Sequence, residues 1–387
     1  MINIIQIYIL GIVLVSIYLY TRVSKLWLDT PKLDSFTVLE AHYPKVSIIV
    51  PIHNEAQHLE QALSSLCASN YSDFEIIAVN DRSDDTSAEI LNRIKIKFDF
   101  LQIITITDVP EDWLGKTHAL QKGIEQSIGD YILLTDADVI FSPQLVKKAI
   151  AYMQRFQLAH LTLSPRLIMN RFSMKWFMPF QLLIMVLAMS PWRADSKNVR
   201  SAIGIGAFNC VTRDAFNQIG FMKGLALNPI DDVGLARHLK RKGFKQGFAN
   251  AQGLLRLEWY GDLKQIYYGF EKNIFAFFEF SIVKSCFALA VYVSLMFVPI
   301  IGLLSNNLII IVLSVIPMLI IICLLSQINS ELFVSKYLAL FYPLAAFITL
   351  TIGIRSIILC LIRGGIYWGG RFTPLKFLKE QYKTDKF

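Results

Sequence analysis

Four apolar runs constrain this chain before any motif does. Ile2 to Tyr20 is almost continuously apolar, and runs of the same character occupy about 285–304, 308–325 and 337–362. A helix needs about 20 such residues to cross a bilayer. The expectation is an integral membrane protein with an N-terminal anchor over 1–22 and three transmembrane helices within 285–362. The first run has neither a basic leader nor a small-residue cleavage site, which argues against a removed signal peptide. Composition agrees: 54% of residues are hydrophobic and 18% charged, whereas soluble domains average about 45–50% and about 25%. At this hydropathy the net charge of +8 points to an anionic membrane surface, with no nucleic acid expected. The five cysteines have no CxxC spacing, so neither a disulfide framework nor a zinc site is expected.

Between the anchor and the last runs, residues 45–255 read as a soluble α/β domain. Val46–Val50, Phe74–Val79, Leu101–Ile106 and Tyr131–Thr135 are short β-rich runs, with helical stretches at 56–68 and 84–97. That alternation predicts a mostly parallel, Rossmann-like sheet covered by helices, with ligands bound beyond the carboxyl ends of its strands. Residues 176–189 are apolar but interrupted by Pro179 and Gln181. They fit either a buried core helix or an interfacial one. Residues 256–284 mix aromatics with Lys264, Glu271 and Lys272, as an interfacial amphipathic segment does.

Arg22, Lys25 and Lys32 after the first run place the following domain in the cytoplasm by the positive-inside rule. One span before the domain and three after it would put residues 363–387 outside. That tail is basic, with Arg363, Arg371, Lys376, Lys379, Lys383 and Lys386. The two signs conflict.

Polar residues gather where the predicted strands end. The first strand runs into Pro51-Ile-His-Asn54-Glu55; Pro51 is expected to stop the ladder, and Asn54 and Glu55 to open the next helix as caps or ligand contacts. Asp81 ends the second strand, and Ser83 and Asp84 can cap the helix after it. Capping accounts for Asp84 and Asp85 but not for Asp81. Asp136 and Asp138, one residue apart after the fourth strand, can hold a hard divalent cation beside a diphosphate. Lys116, just before a predicted helix, is either a phosphate contact or a solvated lysine. Asp231 and Asp232 start a helix, where the macrodipole favours acids; either can also serve as a general base. The run Arg237, Lys240, Arg241, Lys242 and Lys245 suits a solvated face or anionic headgroups.

Taken in order, PIHNE, NDRSDDT, GKTHALQKG, TDADV, GAFNCVTRDAF and DDVGLARHLKRKG resemble the family 2 glycosyltransferases over residues 45 to about 250. The resemblance implies a GT-A fold, a nucleotide-sugar donor, a divalent metal (Mg²⁺ or Mn²⁺) and inversion at the anomeric carbon. It assigns Pro51, Asn54, Glu55, Asp81, Lys116 and Asp136 to the nucleotide sugar, with Asp81 on the nucleoside. It assigns Asp136 and Asp138 to the metal, and Asp232, aided by Asp231, to catalysis. Asp231 stands where the family usually has Glu. Residues 206–216 resemble the segment beside the acceptor.

The layout is similar to ceramide glucosyltransferase and to bacterial hopanoid- or carotenoid-type glycosyltransferases, which implies a membrane lipid acceptor and a bacterial-type cell membrane. The QxxRW-type motif of processive synthases is absent; that region reads QIYYGFEKN, residues 265–273, with Gln265, Lys272 and Asn273 as polar candidates. This argues against a polysaccharide synthase. A polyprenyl-phosphate sugar transferase and a catalytically inactive membrane scaffold are the competing readings.

Overall fold

The structure, a computed structural model, describes residues 3–38 and 43–384. Ile2, Asp385 and Lys386 lie outside these residues, as do the side chains of Trp27, Leu28, Lys383 and Thr384. The chain forms two compact units. One is helical and draws on residues 1–29, 169–192 and 260–364; the other is α/β and draws on 30–168, 193–259 and 365–387.

The chain begins with α1 (Ile4–Asp29) of the helical unit. The α/β unit follows with β1 (Val46–Ile52), α2 (Ala56–Cys67), β2 (Phe74–Asp81), α3 (Ser87–Lys97) and β3 (Leu101–Ile106). Next come α4 (Gly115–Gln126), β4 (Tyr131–Leu134), β5 (Ile140–Phe141), α5 (Leu145–Phe156), β6 (His160–Ser164) and β7 (Arg166–Leu167). Helix α6 (Phe172–Met189) returns to the helical unit. The α/β unit resumes with β8 (Asn209–Thr212), α7 (Arg213–Ile219), α8 (Asp231–Arg241), β9 (Gln246–Asn250) and β10 (Leu255–Leu257).

The main sheet has the order β3-β2-β1-β4-β8-β6-β9. All neighbours are parallel except β8, which runs antiparallel to β4 and β6. β1 and β4 pair at the point where the chain turns outward in opposite directions, and on such sheets the ligand crevice opens beyond their carboxyl ends. Alternation along β1 builds two cores. Ile48, Val50 and Ile52 join one hydrophobic cluster with Leu59, Leu63 and Leu145, while Ile49 joins Ile77, Leu120 and Ile124 in the other. Each fully buried aliphatic side chain contributes roughly 1.5–3 kcal/mol. Gly123 lets α4 lie close to the sheet, since a Cβ there would come within 2.4 Å of Ile49.

Two local expectations fail. Pro51 does not stop the ladder: β1 pairs with β2 through Ile52. Ile49, on the same edge of the strand as Pro51, accepts the Thr135 N–H, and the pairing with β4 ends there. The missing N–H of Pro51 therefore faces a side with no partner to lose. The helix after β2 starts at Ser87, not at 84, and Asp85 rather than Ser83 or Asp84 satisfies its first turn, accepting the Ser87 N–H at 2.9 Å.

The helical unit continues with α9 (Leu263–Gly269), α10 (Glu271–Phe277), α11 (Ile282–Met296), α12 (Val298–Gly302), α13 (Leu308–Glu331) and α14 (Tyr342–Arg363). Four stretches are long and apolar enough to cross a membrane: Ile4–Leu26, Phe172–Arg193, Leu308–Glu331 and Lys336–Arg363. Helices α10 and α11 pass that test only together, across a 102° bend. Residues 256–284 are thus no single amphipathic helix but the end of β10 followed by two short helices and the start of α11. Inside this unit Gln181 of α6 donates to Thr349 of α14, which spares the roughly 1–3 kcal/mol cost of a buried unpartnered amide. Glu271 pairs with both Arg355 and Arg363. After α14 the chain re-enters the α/β unit as the hairpin β11 (Gly365–Trp368) and β12 (Arg371–Pro374) and the helix α15 (Leu375–Thr384).

Candidate active site

The carboxyl ends of β1 and β4 open into a cleft of about 260 Å³. Pro51, Lys116, Thr135, Asp136, Gly206, Asp231 and Asp232 line it, over an apolar floor that includes Leu120, Leu134 and Met222. Residues from six separate stretches therefore meet in one place. β4 ends at Leu134 and delivers Asp136, α4 delivers Lys116 from its first turn, and α8 delivers Asp231 and Asp232 from its own.

Lys116 is the hub. Its Nζ lies 2.7 Å from Asp136 Oδ1 and 3.5 Å from Asp231 Oδ2. Burial works against its charge, but Asp136, Asp231 and Asp232 outweigh it and hold the ammonium above its ordinary pKa. The lysine is not the solvated one that sequence allows; its side chain is 29% exposed.

Asp232 is held from two sides. Its Oδ2 accepts the Gly206 N–H at 3.0 Å and its Oδ1 accepts the Val233 N–H at 2.7 Å. Burial first, and then the neighbouring Asp231, push its carboxyl up to about 7. Two glycines of the 201–209 segment make this packing possible. A Cβ on Gly204 would come within 2.0 Å of the Asp232 carbonyl oxygen, and one on Gly206 within 2.4 Å of Asp136 Oδ2. Sequence reasoning missed both as individual site residues; the signal was two glycines one residue apart just before a strand.

A second group of acids adjoins the first. Asp138 Oδ1 is buried and, among the described residues, has no hydrogen-bond partner. Burial and then Asp136 raise Asp138 to about 7. Burial, Asp138 and Asp136 raise Glu55 to about 7 as well. An orphaned carboxylate oxygen among acids that resist ionisation is the environment a divalent cation relieves. Among the described residues no three His, Cys, Asp or Glu side chains converge as a metal cage. Two carboxylates beside a diphosphate suffice for Mg²⁺ or Mn²⁺, so Asp136 and Asp138 fit such an ion.

The remaining predicted contacts stand apart and are already partnered. Asp81, at the end of β2, is 3% exposed and clasped by Arg82, with Nε at 2.7 Å from Oδ1 and Nη2 at 3.1 Å from Oδ2. Gly115 accommodates that pair, since a Cβ there would meet Asp81 Oδ2 at 2.3 Å. Asn54 adopts a left-handed conformation (φ 58°), and its Oδ1 accepts the Asp84 N–H at 2.9 Å. Asp85 joins the same knot by accepting the Ala56 N–H at 3.0 Å. Lys240 belongs neither to a solvated face nor to a headgroup contact: it is 5% exposed, and its Nζ lies 3.3 Å from the Ser201 carbonyl oxygen.

Comparison with known proteins agrees with this geometry. Residues 47–201 match the model of glycosyl transferase family 2. A probable glycosyltransferase of Bacillus subtilis, YdaM, is 40% identical over 97 residues, which are 24% of this chain and 23% of that protein. The poly-beta-1,6-N-acetyl-D-glucosamine synthase of Staphylococcus aureus is 37% identical over 95 residues, 24% of this chain and 22% of that one. The chain thus matches about a quarter of the length of these relatives. A mannosyltransferase from Pyrobaculum calidifontis, solved in complex with GDP-Man and Mn²⁺, aligns over 92% of this chain and 99% of its own with a TM-score of 0.55 and 14% identity. That likeness is one of fold. The strand order and the likeness to that mannosyltransferase give a GT-A fold, and over residues 47–201 the chain is similar to the family 2 glycosyl transferases.

Proposed function

We propose that the chain transfers a sugar from a nucleotide-sugar donor to a hydroxyl group of a membrane lipid, with inversion at the anomeric carbon. The observation that carries this reading is Asp232, a carboxyl raised to about 7 and aimed into a cleft that also holds Lys116, Asp136 and Asp231. A base works best when its pKa lies near the working pH. Asp232 takes the acceptor proton as the hydroxyl oxygen attacks the anomeric carbon opposite the leaving diphosphate. The Gly206 N–H keeps its Oδ2 oriented. Lys116, kept cationic by three carboxylates, offers its charge to the leaving group's oxygens and restrains Asp231 and Asp136 as it does so. Asp136 and Asp138 would hold the divalent cation, which when bound neutralises charge on the leaving diphosphate. Pro51, Asn54 and Glu55 would meet the donor, and Asp81, with its Arg82 clasp, the nucleoside, as the resemblance implies. The Mn²⁺ and GDP-Man in the mannosyltransferase neighbour support the same donor and metal classes.

The lipid acceptor rests on the helical unit, and parity orders its passage through a membrane. The α/β unit is built from 30–168, 193–259 and 365–387, which supports reading all three segments as lying on one side of the bilayer. The chain must then cross an even number of times between them. Helices α13 and α14 supply two crossings, while α6 and the bent pair α10–α11 return to the side they left. In this reading the basic tail shares the cytoplasmic side with the domain, as the positive-inside rule favours. A cysteine at Ser335 should label from outside in intact cells, and one at Asn306 only after permeabilisation.

The test incubates membranes containing the protein with labelled UDP-glucose or GDP-mannose, Mn²⁺ or Mg²⁺ and a total lipid extract. A labelled organic-soluble product that Asp232→Asn abolishes is expected. Metal-independent transfer, or a product that survives Asp232→Asn, would overturn the reading.

A further inference from the structure

The C-terminal segment reads in sequence as a basic tail, yet Arg371, Gln381 and Tyr382 are spent on two loops of the α/β unit. Arg371 of β12 donates from Nη1 to the carbonyl oxygens of Val109 and Pro110, at 2.9 and 2.8 Å. Gln381 of α15 donates to the Gly224 carbonyl at 2.6 Å and accepts the Leu227 N–H at 3.2 Å. The Tyr382 hydroxyl donates to Asn228 Oδ1 at 3.0 Å. Leu378 is fully buried and Tyr382 nearly so, so α15 presents a packed face rather than a solvated one.

The two loops so gripped are those that deliver the site. Residues 109–114 lead into the first turn of α4 and Lys116; residues 222–230 lead into Asp231 and Asp232. The second loop holds only a short 3-10 turn (Lys223–Leu225) and no strand of its own. The loops are latched to each other, because the Ala226 carbonyl accepts both the Leu114 N–H at 2.8 Å and the Thr117 hydroxyl at 2.6 Å. Asn228 is the pivot. Its Oδ1 accepts the Ile230 N–H at 3.0 Å as well as the Tyr382 hydroxyl. Its amide nitrogen lies where a Cβ on Gly234 of α8 would come within 2.4 Å.

We propose that β11, β12 and α15 form a strap that fixes the Asp231–Asp232 loop against the Lys116 loop, with Arg371, Gln381 and Tyr382 as positioning residues for the transfer. The proposal rests on the reading of Asp232 as the base. A base displaced by about 1 Å can cost about 10²-fold in rate, and three polar side chains on two otherwise irregular loops set that distance. The strap follows α14 directly in the chain.

The test compares the full-length protein in detergent with Tyr382→Phe, which removes a single oxygen, and with Gln381→Ala. Hydrogen–deuterium exchange is read first, without any donor. Residues 222–232 and 109–116 should exchange several-fold faster in both variants, with β1, β2 and β4 unchanged. Transfer from UDP-glucose or GDP-mannose with Mn²⁺ and total lipid should then show kcat lowered tenfold or more and the donor KM within twofold. Unchanged exchange in the two loops, or faster exchange spread evenly over the sheet, would overturn the strap. So would loosened loops with an unaltered kcat. A wild-type protein inactive with every donor would instead overturn the transferase reading, while the exchange data still decide whether the strap exists.

Discussion

Two sets of polar groups sit in the same α/β unit and are treated in opposite ways. In the knot joining the loops after β1 and β2, and beneath it in the strands, each polar side chain has its partner. Asp81 has Arg82, Asn54 has the Asp84 N–H, and Asp85 has two backbone N–H groups. His160 of β6 is fully buried between Gln246 Nε2 on its Nδ1, at 2.8 Å, and Asn209 Oδ1 on its Nε2, at 3.1 Å. In the cleft and the acid group beside it, Asp232, Asp138 and Glu55 are all raised to about 7, and one oxygen of Asp138 has no partner among the described residues. The first set holds the fold in its own right. The second is left uncomfortable until something charged arrives, which is the arrangement that active sites favour.

The sharpest way to break this contrast is to neutralise one member of the uncomfortable set. Asp232→Asn keeps the shape and removes the base, and transfer should fall about 10²–10⁴-fold while nucleotide binding persists. Initial rates beside a binding isotherm would separate the two effects. A variant that loses binding and rate together would make Asp232 a donor contact instead.

The cation comes next in size. Asp138→Asn should weaken the Mn²⁺ dependence of nucleotide binding by about 10–100-fold or more, and chelation of the wild type should do the same. In the metal-free protein the substitution should leave thermal stability level or higher, because it removes a desolvated carboxylate that has no compensating partner. A fall in metal-free stability would mean that Asp138 belongs with the satisfied set after all.

His160 sharpens the contrast from the other side. Burial holds its pKa down at about 4, against an ordinary value near 6.5. Between those values the unfolded chain binds a proton that the folded one refuses. The contribution of the neutral ring is therefore complete above about pH 6.5 and is lost as pH falls towards 4, by up to about 3 kcal/mol. His160→Gln should be less stable than wild type at pH 7, and the gap in melting temperature should narrow as pH drops through that window. A gap that stays constant with pH would mean the ring is not held neutral by burial.

What sequence could reveal divides along the same line. The strand runs were legible because β-branched stretches such as Val46–Val50 and Leu101–Ile106 carry their burial in local composition. The acids at strand ends were legible one motif at a time. Their partners were not. Lys116 meets Asp231 across more than a hundred residues, and the Gly206 N–H reaches Asp232 from a different segment. Such pairs depend on the strand order, which no local pattern fixes. Lys240 shows the same limit: a basic run looks solvated until the Ser201 carbonyl is placed beside one of its members. Residues 176–189 were ambiguous because Pro179 and Gln181 break the apolar pattern, and Gln181 finds Thr349 only in the folded helical unit.

The smallest expected effect tests the knot itself. Asp85 accepts the Ala56 N–H with one oxygen and the Ser87 N–H with the other, so a single carboxylate satisfies the first turns of α2 and α3. Burial raises its pKa, but the Ser87 hydroxyl and those N–H groups together outweigh it and pull the value below the ordinary one, the reverse of its neighbour Glu55. Asp85→Ala frees two helix-start donors, and loss of such a cap costs about 1 kcal/mol. In a unit of this size that lowers the melting temperature by roughly 2–4 °C. Mn²⁺-dependent nucleotide binding should survive, since the variant leaves the Asp136–Asp138 pair in place. If it instead removed the metal response at an unchanged melting temperature, Asp85 would belong to the site rather than to the scaffold, and the boundary between the two sets would lie one loop further from the cleft.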